Sequence, residues 1–529
     1  MKLIDKPTLN KFLQRDYVFV LMFALMACIY YDSVLDKGPL NVHIWRQTDC
    51  LSITQHYMEG TSFLEPDMHL QYSDSLSDGR SAGEFPILYY AVGNIWKVFG
   101  ESYLSYRLVC LSILFFGLFC FFKSVRIVFD DFWIALLLSA LLFTSPVLVV
   151  YGVSFLTDGP AFSFVLVALY FLVLYIRKTD RKMLYLAMAF FALAGLIKVS
   201  SLMIFFFMFI ILVLESLSFQ SLGTKKLFKI DRYEWIAFLS VFAIVLAWYV
   251  YAHYYNLLHG FKFTINNIYP IWMLKSDRFA PWIDELVNFS SYIFFSRPVL
   301  ALLFLVSIAN LFLWKKIPPF AYLANVILLM GSTAYFILWA PLLGIHDYYY
   351  VALLVLFLSA FLPFVWFIKN RFPHFFRGYW LKIILLVFVG YNFFYCKAIV
   401  ELKTLSQRGN YAIIGNEAFV KGMIWENWNI YFNWNRFREM RPYLDEIGVK
   451  PEDKIISVPD QSPNASLYLL NRKGWTNAID HDLTNIDKFI QHGAKYLFVS
   501  DPKTLQLEHL QPYLSDKIGE FKGIEVYRL

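Results

Sequence analysis

Eleven apolar runs constrain this 529-residue chain more than any other feature. A bilayer core of about 30 Å takes roughly 20 helical residues. Runs near 17–31, 104–122, 132–152, 160–176, 183–197, 199–217, 234–252, 291–314, 320–342, 348–368 and 379–396 meet or approach that length. Composition agrees: 58% of residues are hydrophobic and only 16% charged, against about a quarter in an ordinary globular chain. That leaves too few charges to coat a water-facing surface, and the mean hydropathy of +0.51 points the same way. The predicted fold class is therefore a polytopic α-helical membrane protein.

Orientation follows from the loops, because Lys and Arg resist translocation. Cations collect in alternate loops: Lys123 and Arg126, then Arg177, Lys178, Arg181 and Lys182, then Lys225, Lys226, Lys229 and Arg232. Lys315 and Lys316, then Lys369, Arg371 and Arg377, complete the series. With Lys2, Lys6, Lys11 and Arg15 in the N-terminal tail, the N-terminus is assigned to the cytoplasm and everything after Lys397 to the outside. A lipobox-like Leu25-Met26-Ala27-Cys28 reads better as an uncleaved first span, since Met is a poor lipobox residue. The net charge of +7 is spread over these loops, which excludes a nucleic-acid binder. Four of the five cysteines fall in or beside apolar runs and Cys50 lies in a polar loop, which excludes a disulfide scaffold.

Three outside segments are long: 32–103, 253–290 and the tail from 397 onward. In the first, "NVHIWRQTDCLSITQHYMEG" predicts a helix ending at Gly60, with Arg46, Asp49 and His56 sharing a face. A guanidinium one turn from a carboxylate holds it ionised, as a general base requires; the alternative is a solvated salt-bridging face. Pro86 opens an amphipathic helix predicted to lie on the outer leaflet, burying Ile87, Leu88, Tyr90 and Trp96 at the headgroups. Glu84 stands at its N-terminal end, as a second acid or a dipole partner. Asp158, ahead of Pro160, is either an N-cap or another acid over the same outer cavity. Lys198 is stranded between two spans without a nearby carboxylate, which predicts an anionic lipid phosphate as its partner, or snorkelling to the headgroups. "GIHDYYYVALL" puts His346, Asp347, Tyr348 and Tyr349 in a short outer loop. An aromatic belt accounts for the tyrosines but not for His-Asp.

The tail predicts a helix between Asn433 and Gly448, then strand, helix, strand and strand in "KIISV", "SLYLLNRKGW", "AKYLFVSD" and "IEVYRL". The domains expected are a transmembrane catalytic domain, 1–396, and a small extracytoplasmic α/β domain, 397–529. Trp425, Trp428 and Trp434 are candidates for stacking on sugar faces.

The strings "HIWRQTD", "GEFP", "LTDGP", "GLIK" and "HDYY", in that order and each on the predicted outer side, resemble the GT-C superfamily of polyprenyl-phosphate-sugar-dependent glycosyltransferases. Protein O-mannosyltransferases, the aminoarabinose transferases of lipid A and Rgt-related bacterial transferases belong to it. The resemblance implies a GT-C fold over residues 1 to about 396. It implies a polyprenyl-phosphate-linked sugar as donor and a lipid, glycan or protein of the cell envelope as acceptor, in a bacterial inner membrane. It carries Asp49 over as catalytic base, Asp158 as second acid and Lys198 as the lysine closing the short fifth span. Arg46, Glu84, His346 and Tyr349 complete the expected substrate-binding set. Relatives often have two adjacent acids where this chain has Asp49-Cys50, which weakens the case for a divalent metal without closing it. A transporter or flippase of lipid-linked saccharides is the alternative. It would show repeated halves with broken helices, and no repeat is visible.

Overall fold

The computed structural model describes residues 6–217, 226–260, 268–344, 346–404, 411–478 and 486–529. Lys2 and Lys225 of the predicted cytoplasmic cations, and parts of the predicted outer segments, lie outside these. Every predicted span is helical. Seven helices are long and apolar enough to cross a membrane, and up to nine if two bent pairs each count as one. The two remaining spans are shorter helices, the apolar stretch Asp16–Tyr31 and Arg181–Ile197.

The bent pairs are Phe132–Leu142 with Pro146–Gly152, turning by 74°, and Ser276–Phe294 with Arg297–Phe312, turning by 94°. Each break frees backbone groups that a lipid environment cannot satisfy. One side chain serves both: Asn392, fully buried on the span Tyr379–Lys403, donates to the Thr144 carbonyl (2.7 Å) and accepts from the Ser296 amide (2.9 Å). The first bend aims the short helix Pro146–Gly152, and Tyr151 on it, at the polar layer above the bundle.

Beside the core of spans lies a second core that the sequence reading did not anticipate. It joins the first outer loop to the tail: Ile44, Leu51, Tyr57, Leu70, Leu88 and Trp96 pack in one cluster with Ile455, Tyr468, Trp475 and Val526. The first-loop helix Ile44–Glu59 and the helix Ile87–Phe99 cross closely at Gly93, where a Cβ would stand 2.7 Å from Tyr57 Cβ and 2.8 Å from the Thr54 carbonyl. The amphipathic expectation is corrected here. Leu88 and Trp96 are buried in protein rather than at headgroups, and Ile87, Tyr90, Val98 and Phe99 form the exposed side.

The tail carries a five-stranded sheet of order β2-β1-β3-β5-β4. β1 (Lys454–Val458) pairs in parallel with β2 (Gly474–Trp475) and β3 (Ala494–Val499), and β5 (Ile524–Arg528) runs antiparallel to β3 and to β4 (Lys517–Phe521). β1 is almost wholly buried, as its unbroken apolar run implies for a parallel strand covered on both faces. The polar "KIGEF" of β4 gave no strand signal because it is an exposed edge. The predicted helix from Asn433 begins much earlier, at Glu417, and runs to Glu439. The sheet is stitched to the first loop by a parallel bridge from Leu70 to Gly474, by the Gly474 amide on the His69 carbonyl (3.0 Å) and by the Trp475 indole on the Gln71 carbonyl (3.1 Å).

Candidate active site

The helix Ile44–Glu59 starts abruptly: His43 adopts a left-handed backbone (φ 65°) and no side chain caps the first turn. Such a conformation is costly outside glycine and is held by its surroundings. Here the His43 ring is anchored, its Nε2 2.8 Å from Asp347 Oδ1. One turn on, Arg46 leaves the helix to ion-pair with Glu84, and its Nη1 stands only 3.9 Å from Asp49 Oδ2. Asp49 itself is 2% exposed, and its Oδ1 has no hydrogen-bond partner among the described residues.

That geometry overturns the expected ionisation. Burial dominates and pushes the Asp49 carboxyl up to about 7; Arg46 pulls against it, while Glu84 and Asp460 push further. The guanidinium serves Glu84 instead. Although burial works against ionisation, Arg46 and Lys198 together hold Glu84 down at about 2. Two carboxylates that share Arg46 as a neighbour are thus driven to different protonation behaviour, the arrangement by which one site separates base from counter-ion.

Asp158 and Lys198 close the opposite side. They form an ion pair at 3.2 Å, so Lys198 has a carboxylate partner in this chain that its sequence neighbourhood did not show. Asp158 is 5% exposed in the first turn of its helix, not its N-cap, which is Thr157. The Lys198 ammonium also lies over the ring of Tyr349 (5.1 Å) and near that of Tyr348 (5.7 Å). His346, with Nδ1 buried and without a hydrogen-bond partner among the described residues, is lowered to about 4 by burial and by the charge of His43, so it is neutral at pH 7. Its ring is 5.7 Å from that of His43.

The seven residues of the expected catalytic and substrate-binding set therefore converge: Arg46, Asp49, Glu84, Asp158, Lys198, His346 and Tyr349. His56 does not. Two turns beyond Asp49, its Nε2 is 4.0 Å from Asp67, beneath the tail. Cys50 is buried rather than in a polar setting, its thiol against the Tyr89 hydroxyl (3.3 Å) and pushed up to about 12 by burial, so it offers no second ligand beside Asp49. Among the described residues no group of three or more His, Cys, Asp and Glu is arranged to hold a metal ion. Glu84 and Asp158 pair with cations instead.

Two features escaped sequence reasoning. Asp347 binds three donors, Lys403, Tyr151 and His43, with Lys403 also 3.2 Å from the Tyr151 hydroxyl. His43 stood inside "HIWRQTD" without a role, and Lys403 lies past the predicted end of the last span, on a helix that runs further than expected. The second is the tail loop after β1. Asp460 there is buried, takes the hydroxyls and amides of Ser462 and Ser466, and is raised to about 6 by burial. Asn464 of the same loop donates to the Thr48 carbonyl (3.3 Å), next to Asp49.

The spans and the polar layer above them define a multi-pass membrane protein, and the structural likeness given below shows its fold to be GT-C. A family model described as dolichyl-phosphate-mannose-protein mannosyltransferase matches residues 84–252, the stretch that carries Glu84, Asp158 and Lys198. The chain is similar in structure to ArnT from Cupriavidus metallidurans bound to undecaprenyl phosphate, with a TM-score of 0.57 and 13% identity over 96% of this chain and 97% of that one. It is also similar to the archaeal oligosaccharyltransferase AglB from Archaeoglobus fulgidus, in complex with an inhibitory peptide and a dolichol-phosphate. There the TM-score is 0.50 and the identity 13%, over 92% of this chain and 69% of that one. No curated protein matches the sequence. The resemblance to the GT-C superfamily is borne out by the fold and by the family model.

Proposed function

We propose that the chain is a glycosyltransferase that moves a sugar from a polyprenyl-phosphate donor to a cell-envelope acceptor, at the outer face of a bacterial inner membrane. The observation that carries this reading is the convergence of Asp49, Glu84, Asp158, Arg46 and Lys198 in one buried layer at the ends of the spans. The solved relatives named above hold undecaprenyl phosphate and dolichol-phosphate, which supports a lipid phosphate as the carrier. In this reading the N-terminus is cytoplasmic, residues 397–529 are extracytoplasmic, and the acceptor is a lipid, glycan or protein.

Asp49 acts as the general base. The acceptor hydroxyl donates to its free Oδ1; as the hydroxyl oxygen attacks the anomeric carbon, the proton passes to Asp49 and the bond to the phosphate oxygen breaks. A carboxyl poised near neutral pH is well matched to that task. Lys198 and Arg46, already held by Asp158 and Glu84, balance the charge growing on the departing phosphate. Asp158 sets the position of Lys198, His346 stays neutral as a hydrogen-bonding group, and Tyr349 lines the Lys198 side. Single displacement inverts the anomeric centre.

The test is transfer from a panel of synthetic polyprenyl-phosphate sugars by purified protein, beside Asp49→Asn at matched folding. A loss of about a hundredfold or more is expected, since general-base catalysis is worth 10²–10⁴. Transfer that survives the substitution removes Asp49 as base. Movement of lipid-linked sugar across liposome bilayers without any transfer replaces the enzyme with a flippase.

A further inference from the structure

A cavity of about 470 Å³ lies between the start of the first outer loop and the helix Glu417–Glu439, apart from the acid layer. Four of its lining residues, Trp428, Tyr431, Asn435 and Arg438, come from that one helix. Their spacings of three, four and three put them on a single face. The stripe therefore runs ring, ring, amide, guanidinium. Across from it stand Asp36, Lys37, Asn41 and Thr404, and among the described residues Leu40 is the one aliphatic side chain in the wall.

We propose that this cavity is a binding site for a saccharide, the carbohydrate part of the acceptor; this rests on the transferase reading above. Its volume is in the range of small-molecule sites. The chemistry of the wall favours sugar over the other candidates. A hydrocarbon chain would be lined by aliphatic groups, and here there is one. A phosphate would be met by converging cations; of the two in the described wall, Lys37 Nζ donates to the Thr404 carbonyl (2.7 Å), which leaves Arg438, and Asp36 brings a negative charge into the same space. Sugars present apolar C–H faces and a rim of hydroxyls, which suit flat aromatic rings beside the Arg438 guanidinium and the Asn435 amide, whose nitrogen donates to Glu439 (2.8 Å) and whose carbonyl oxygen can accept.

The indole is held in place: Phe432 stacks on it (5.2 Å, 21°) and Tyr431 stands edge-on (6.2 Å, 86°). The three tryptophans offered by the sequence are thereby sorted. Trp425 is 71% exposed, Trp434 packs into the second core beside Phe437, and Trp428 lines the cavity. Asn41 and Thr404 also line a smaller adjoining cavity whose wall includes Gln47, Tyr151 and Lys403, so the site borders the buried polar layer.

The experiment uses the full chain in nanodiscs and a diazirine-bearing trisaccharide of neutral hexoses, carrying neither lipid nor phosphate. Cross-links are expected in peptides covering 36–41 and 428–438, displaced by the unlabelled trisaccharide. They should weaken about tenfold, equivalent to roughly 1.4 kcal/mol, in Trp428→Ala and in Asn435→Leu, and stay unchanged in Trp425→Ala. Melting curves of each variant separate lost binding from lost folding. Labelling confined to other peptides, labelling that free saccharide does not displace, or full labelling in both folded cavity variants overturns the proposal. The two readings fail separately. Asp49→Asn should lose transfer and keep the cross-link; a wild type that cross-links but transfers to nothing keeps the cavity and discards the enzyme, and one that transfers without cross-linking does the reverse.

Discussion

Two buried charge clusters sit side by side under the first outer loop, built on opposite plans. Around Asp347 every demand is met: one carboxylate accepts from Lys403, Tyr151 and His43. Around Asp49 demand is left open, with one oxygen unpartnered and the nearest cation committed to Glu84. Both carboxylates are nearly inaccessible, 6% and 2% exposed, so burial does not separate them. Satisfaction does. A saturated carboxylate fixes geometry, here the left-handed start of the Asp49 helix through His43, whereas an unsatisfied one is available to take a proton.

The largest effect that can break this contrast is kinetic. Asp49→Asn should cost transfer about a hundredfold or more yet leave the fold intact. Its stability has a definite sign. With a folded-state value near 7 against 3.8 for the free group, ionisation favours the unfolded chain. The wild type therefore loses stability as pH rises from about 4 to about 7. The melting temperature of Asp49→Asn relative to wild type should rise across that window and level off above it.

Next comes Asp347→Asn, which strands the Lys403 ammonium in a buried setting. Breaking one side of such a pair costs about 3–5 kcal/mol, so the melting temperature should fall at all neutral pH values. Adding Lys403→Met should recover part of the loss, and if it recovers none the cluster is not a structural ion pair. A smaller effect tests the coupling inside the Asp49 cluster. Only ionised Asp49 accepts a proton, so transfer should fall on the acid side through about pH 7. Because Glu84 pushes Asp49 upward, Glu84→Gln should move that limb to lower pH by about one unit or less. An unmoved limb would disconnect Glu84 from the base. The smallest effect lies at the loop–tail seam. Lys473, 39% exposed and 2.8 Å from Asp67, should cost under about 1 kcal/mol when changed to Ala.

Much of this was legible in the sequence because its signals are local. Apolar length marked the spans, and the helices Lys6–Tyr31 and Tyr103–Phe129 flank the first long polar segment. Polar residues at the ends of apolar runs marked the acid layer, since charge at that depth is rarely incidental. The misses share a cause. Lys198 looked unpaired because Asp158 is forty positions away in sequence and 3.2 Å away in space. Tyr151 and Lys403 looked like ordinary span residues because their shared partner, Asp347, lies in another segment altogether. The Ile87–Phe99 helix showed an amphipathic face, and nothing in periodicity distinguishes a membrane surface from a protein one.

The sequence by itself determined which segments are apolar enough to cross a bilayer, and which acids and cations stand at their ends. Those properties follow from side-chain hydrophobicity and spacing along one helix. Only the tertiary structure decided which acid keeps its charge. Arg46 is one turn from Asp49, yet folding hands it to Glu84, and the burial that then raises Asp49 comes with the packing of its helix, through Ile44, Cys50 and Leu51, into one core with the tail. Desolvation is a property of everything around a group, and no local pattern contains it.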